Sequence, residues 1–378
     1  MKPITSLYIH FPWCIRKCPY CDFNSYAVGT CPKDEKEYIS ALKRNFDQFV
    51  AKFPNIKLST IYMGGGTPSL IDSDNIKDIV GYVRDKVCCT DDIEISMEIN
   101  PGTVNSSKLR ALKDVINRIS FGVQSFTDSS LKHLNRIHNS QMALSSVKTA
   151  QDLGFNNINL DLMHDLPNQT VKDALFDLQT AVNLNVPHLS WYQLTMEEGT
   201  EFYRKSNLNI PDETVLDEID RNGLSLLENS GFTHYEISGF AKEGFRCRHN
   251  LSYWNYNDYI GIGAGAHGKI TDWENCRILR SAQKEYPTEF MSETDYLTSL
   301  MPVGADSLPF EFFLNKSRLL TEKISINEYE SLTFQSIETI QGKLDKAAEM
   351  GLITTVGDFI SVTDLGKKYL NSFLEMFL

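Results

Sequence analysis

Short apolar segments rich in β-branched and aromatic residues recur along the first half of the chain, separated by longer amphipathic stretches. The short segments predict strands at Leu7–His10, Thr60–Met63, Ile93–Glu98, Arg118–Gly122, Asn157–Leu162 and Leu189–Leu194. The longer ones, Lys33–Phe49, Ser73–Val87, Met142–Leu153 and Ala174–Leu184, have the length and apolar spacing of helices with one buried face. Strand–helix alternation implies a parallel sheet, because parallel neighbours need a long crossover between them. The expected fold class is therefore α/β, a partial (β/α)6 TIM-like barrel over residues 1–200. Past Thr195 the pattern loosens into polar and aromatic stretches: Asn207–Pro211, HNLSYWNYNDY from His249 and GIGAGAHGK from Gly261. These predict an extension or lid over residues 201–300. From about Asp306 the chain turns helical, then offers a strand pair near Ile353–Val362 and a helix from Asp364, which fits a small C-terminal winged-helix-like α/β module over 305–378.

Composition narrows the class. The 378 residues are 42% hydrophobic and 23% charged, the balance of a globular protein. No apolar run approaches the ~20 residues of a membrane-spanning helix. The start, MKPITSLYIHFPWC, lacks the basic, apolar and small-residue regions of a secretory signal. A cytoplasmic location follows as the expectation, and there eight cysteines are more naturally thiols or metal ligands than disulfides. A net charge of -12 with no Lys/Arg run opposes nucleic-acid binding, and the C-terminal module is not read as DNA-binding. Peripheral membrane contact and a homodimer stay open.

The strongest chemical signal follows the first strand. YIHFPWCIRKCPYCDF sets Cys14, Cys18 and Cys21 at C-x3-C-x2-C spacing in one short loop. Such a loop can bring three thiolates to three corners of a [4Fe-4S] cube and leave the fourth iron without a protein ligand. Zinc competes for the same residues, but structural zinc takes four ligands, and the fourth would have to be His10 or the remote Cys247.

This loop resembles the signature of the radical S-adenosylmethionine (SAM) superfamily. The resemblance implies SAM bound by its methionine amine and carboxylate to the open iron, and a reduced cluster that splits it into methionine and a 5'-deoxyadenosyl radical. Gly64-Gly65-Gly66-Thr67-Pro68 resembles the superfamily's GGE-type motif, with Thr67 in the acidic position. Further matches fall at successive strand ends: Glu98 in MEINPG, Gln124 in GVQSF, Arg136 in LNRIH and Asp161 in NLDLMHDLP. Chemistry in parallel barrels collects at those ends. The resemblance implies SAM contacts at Tyr8, Tyr20, Gly65, Gly66, Thr67, Glu98, Gln124, Arg136, Asp161 and Thr195. Asp165 stands where related sequences have Gly, which predicts a different turn after Asp161.

Within the superfamily, nearly the whole chain is similar to coproporphyrinogen III oxidase-like proteins, and among them to HemW-type haem chaperones. The oxidase branch resembles C-x3-C-x2-C-x-C with a longer preceding segment; here Phe23 stands at the fourth-cysteine position and thirteen residues precede Cys14. His249-Asn250-Leu251-Ser252-Tyr253-Trp254 resembles the chaperone branch's HNxxYW motif. The resemblance implies a haem site at His249, Asn250, Tyr253 and Trp254, with His249 as iron ligand and Cys247 or His267 as alternates. Cys31, Cys88, Cys89 and Cys276 are read as structural. The expected function is haem chaperoning: haem and a SAM-coordinated cluster are bound, and haem passes to an acceptor, a respiratory haem protein. Two other readings stay open, oxygen-independent coproporphyrinogen III oxidase and a zinc-stapled α/β protein.

Overall fold

In a computed structural model, which describes residues 4–205 and 208–378, all six expected strands are present. They are β1 (Ile4–Phe11), β2 (Lys57–Gly65), β3 (Cys88–Ile99), β4 (Arg118–Gln124), β5 (Ile158–His164) and β6 (His188–Gln193). Each pairs in parallel with the next in chain order. Between them run α1 (Glu35–Lys52), α2 (Ser73–Lys86), the unforeseen α3 (Ser106–Leu112), α4 (Ser140–Asp152) and α5 (Val171–Asn183). Caps set the boundaries. Asn139 accepts from Met142 N and starts α4 two residues before Met142. Thr170 and Asp173 form a reciprocal capping box that starts α5 at Val171 rather than Ala174.

Side-chain alternation with period 2 divides every strand into two chemistries. Leu7, Ile9 and Phe11, Ile61 and Met63, Ile119, Phe121 and Val123, and Leu160 and Leu162 share one buried cluster with Leu42 and Phe46 of α1, Ile76 and Ile79 of α2 and Leu178 of α5. The residues between them on the strands are polar: Ser6, Tyr8 and His10; Thr60 and Tyr62; Ser96 and Glu98; Arg118 and Ser120; Asn159 and Asp161; His188, Ser190 and Tyr192. The barrel is thus greasy outside, against its helices, and polar inside.

Two features depart from expectation. A seventh parallel strand, formed by Tyr259–Ile262, lies beside β1 and extends the six expected strands of the partial barrel. The residues expected as an extension or lid also supply antiparallel strands at both edges of one 12-stranded sheet. Gly239–Ala241 and Thr233–Glu236 follow β6, and His267–Asp272, Arg277–Ala282 and Met301–Pro302 lie beyond Tyr259–Ile262. The loose stretch also holds α6 (Glu213–Asn229) and α7 (Arg248–Trp254). Asn207, in the expected polar stretch, lies outside the described residues.

Beyond residue 305, Phe312, Phe313, Tyr329, Ile353 and Phe373 form a second cluster, joined by Tyr256, around a three-stranded sheet of Ile324–Ser325, Phe359–Val362 and Ile353–Val356. Arg280 and Glu311 join it to the barrel side at 2.7 Å. Leu160 is fully buried in the main cluster, and Leu160→Ala is expected to lower unfolding free energy by about 2–5 kcal/mol in urea melts.

Candidate functional site

The cysteine loop leaves the end of β1 and folds back on itself. Trp13–Cys14 pairs with Tyr26–Ala27, Tyr26 N donates to Pro12 O at 2.7 Å, and Val28 N donates to Cys14 O at 2.8 Å. Cys21 N donates to Cys18 O at 3.1 Å. No disulfide joins any of the eight cysteines. Cys14, Cys18 and Cys21 line the mouth of one cavity of about 450 Å³, within the range of small-molecule sites. Burial, then Cys21, pushes the Cys14 thiol up to about 11. Among the described residues no three His, Cys, Asp or Glu side chains are placed to hold a single metal ion; a cubane presents three separate corners to its thiolates. Phe23 is largely exposed at the rim.

The glycine run is demanded by close packing under this loop. A Cβ on Gly66 would sit 2.6 Å from Trp13 O, and one on Gly65, at φ +112°, would sit 2.5 Å from the His10 ring. Gly65 N also donates to Glu98 Oε2 at 3.2 Å, while Tyr62 OH donates to Oε1 at 3.1 Å. Burial, then the Asp161 charge, still pushes the Glu98 carboxyl up to about 7.

The strand ends deliver the other expected residues to the same cavity. Gly65, Gly66, Thr67, Glu98, Gln124, Arg136, Asp161, Thr195 and Tyr20 all line it; Tyr8 does not, its hydroxyl lying 3.0 Å from His10 Nδ1. Gln124 holds a left-handed φ of 70° and accepts from Tyr192 OH at 2.8 Å. Asp161 accepts from Asn159 Nδ2 at 2.7 Å and Ser120 Oγ at 3.1 Å. Arg136 donates through Nη2 to Gly122 O at 2.7 Å, and its Nη1 stands 3.6 Å from Cys18 Sγ and 3.5 Å from Tyr20 OH. Its Nε is buried with no partner. Burial opposes the Arg136 charge, but the facing Tyr20 and Cys18 hold it above the usual arginine range. The turn after Asp161 does not change for want of glycine: Asp165 takes φ 60°, the left-handed conformation a glycine would supply and Asp tolerates.

At the opposite end of the barrel, α7 carries the His249 motif. Asn250 and Trp254 line the cavity, whereas His249 and Tyr253 do not. The buried His249 ring lies 2.7 Å from Thr60 Oγ1 at Nδ1 and 2.8 Å from Tyr253 OH at Nε2, and stacks on Tyr62. Burial, then Arg118, lowers its pKa to about 3, so the imidazole is neutral. Cys247 lines the cavity with its thiol pushed up to about 12 by burial; His267 is exposed and away from it. Residues the sequence reading passed over complete the wall: Tyr62, Arg118, Ser120, Asn159, Ser190, Glu236 and Arg318. For those on strands, a polar residue at every second position of an otherwise apolar segment was the available signal.

Comparison with known proteins adds family relations to this geometry. Residues 8–179 match the model of the radical SAM superfamily. The chain is 45% identical to the heme chaperone HemW of Escherichia coli strain K12, covering 100% of this chain and 98% of that protein. It is 33% identical to the heme chaperone HemW of Bacillus subtilis strain 168, covering 99% of each. The solved structure of coproporphyrinogen III oxidase (HemN) from Escherichia coli superposes with a TM-score of 0.83 at 20% identity, over 100% of this chain and 90% of that one, a likeness of fold.

Glu98 generates a test in the metal-free protein. From pH 4.5 to about 7 the folded chain keeps a proton on Glu98 that the unfolded chain has released, so stability falls as pH rises through that window. Glu98→Gln is expected to flatten this slope in urea melts run across the window.

Proposed function

The chain belongs to the HemW family of the radical SAM superfamily, and from that premise we propose that it is a cytoplasmic haem chaperone. In this reading it binds a [4Fe-4S] cluster, SAM and haem, and passes haem to an acceptor, a respiratory haem protein. The observation that carries it is the two-ended cavity. Three thiols and the buried, unpartnered Arg136 Nε stand at one end, and the HNLSYW helix closes the other.

The residues present fit the cluster and SAM. Cys14, Cys18 and Cys21 would hold three irons of the cluster as thiolates. Arg136 takes a carboxylate with its free Nε, which relieves an otherwise unpaired buried donor. Glu98 and Asp161 accept from ribose hydroxyls, and Gln124 makes neutral hydrogen bonds. Tyr8, Tyr20, Gly65, Gly66, Thr67 and Thr195 complete the surround, Tyr8 by bracing His10 beneath the glycine run. Bound together, cluster and SAM supply one-electron chemistry at the sulfonium.

For haem, the neutral imidazole of His249 is the iron ligand, with Asn250, Tyr253 and Trp254 against the macrocycle. An iron held at His249 Nε2 would take the place of the Tyr253 hydroxyl, 2.8 Å from that nitrogen. Coproporphyrinogen oxidation is the competing activity, and the likeness to the oxidase structure bears on fold alone.

Anaerobically reconstituted protein is expected to hold about four irons and four sulfides, to give a saturable Soret change on haem titration, and to leave coproporphyrinogen III unconverted with SAM and reductant. The Soret change is expected to be lost in His249→Ala. No saturable Soret change, or turnover of coproporphyrinogen III, overturns the reading.

A further inference from the structure

The far end of the cavity contains a buried positive charge that the SAM site does not use. Arg118 opens β4 and Gln124 ends it, so at about 3.3 Å per residue the two stand about 20 Å apart along the strand. Both line the same cavity, which therefore runs from the cysteine loop to α7. Arg118 is 2% exposed, its Nε has no hydrogen-bond partner, and among the described residues no carboxylate pairs with it. An unpaired buried guanidinium is costly, and natural structures satisfy one with an anion.

Glu94 and Asp161 feel its charge without forming an ion pair, and each is hydrogen-bonded to other groups. Glu94 serves the first turn of α7: Oε2 accepts from Arg248 N, and Oε1 from His249 N, each at 3.2 Å, with Cys247 Sγ at 3.9 Å from Oε1. Asp161 is held by Asn159 and Ser120. Glu236 takes a long 3.4 Å bond from Ser238 N, and burial pushes its carboxyl up to about 6. Beside Glu236 stands a second cavity-lining guanidinium, Arg318, over the Trp254 ring at 5.0 Å and likewise without an ion pair among the described residues. The buried Trp254 indole nitrogen faces the Glu236 carboxyl, and Asn250 adds an amide to the same wall.

We propose that this end of the cavity is a carboxylate-binding subsite, in which Arg118 and Arg318, flanked by Trp254 and Asn250, hold the propionate edge of an iron porphyrin. The assignment rests on the haem-chaperone reading for the source of the carboxylate. It adds an orientation: the propionates point toward Arg118 and the SAM carboxylate toward Arg136, one anion at each end of one cavity. Guanidinium forks suit carboxylates, and the Trp254 ring offers a flat face to the macrocycle.

The test compares haem with its dimethyl ester, titrated in one detergent buffer into the cluster-loaded full chain and followed in the Soret region. Wild type is expected to bind the free acid at least about ten-fold more tightly than the ester. Arg318→Gln and Arg118→Gln are expected to shrink that preference while leaving ester affinity unchanged. The ester comparison needs no variant, and Arg318, less buried than Arg118, keeps the test available if Arg118→Gln misfolds. Equal wild-type affinity for acid and ester, or a preference that survives Arg318→Gln, overturns the subsite while leaving haem binding intact. Failure of both ligands to bind overturns the chaperone reading and the subsite with it.

Discussion

The whole structure depends on strands that are apolar on one face and polar on the other, both faces buried. Ordinary parallel barrels fill their interior with branched aliphatic side chains. Here the outward set, Leu7 through Leu162, supplies the burial that holds the helices on. The inward set of Ser, Thr, Tyr, Asn, Asp, Glu, Arg and His surrounds an open cavity. Buried polar groups must be satisfied or assigned to a ligand, so the interior becomes a continuous hydrogen-bond network. Tyr62 bonds Glu98, Ser120 bonds Asp161, Asn159 bonds both Ser120 and Asp161, and His188 lies 2.6 Å from the Asn159 side-chain oxygen.

That network explains why each end of the barrel is built differently. At the cysteine end, glycines let the β2 backbone press against Trp13 and His10, so the thiols overhang the cavity rather than stand off it. At the other end, Glu94 receives the first amides of α7 and draws that helix across the opening. The Nε atoms of Arg118 and Arg136, two of the buried donors without a partner, lie at opposite ends. A polar cavity with a spare cationic donor near each mouth is suited to ligands that carry carboxylates.

The same economy accounts for the elements the periodicity did not disclose. Tyr259–Ile262 is only four residues long, too short for a pattern, and becomes a seventh strand because the free edge of β1 accepts it. The α6 helix contains Gly223, a poor helix former in isolation, yet a Cβ there would fall 2.1 Å from the Trp191 ring. Tertiary packing requires the residue that local propensity disfavours.

By itself the sequence determined what is local. The period of the apolar positions set six strands and four helices of the barrel, the spacing of Cys14, Cys18 and Cys21 marked the thiol loop at the cavity, and Gly64–Gly66 marked a close approach. The residues at successive strand ends were legible because a parallel barrel brings those ends to one rim. Only the tertiary structure decided which polar residues share a wall. Arg118, Glu236 and Arg318 are separated by as much as 200 positions, and no pattern along the chain couples them. It also decided that Asn250 and Trp254 face the cavity while His249 and Tyr253 turn toward Thr60 and each other, because the register of a two-turn helix against the barrel is fixed by packing and by Glu94, not by the motif it carries.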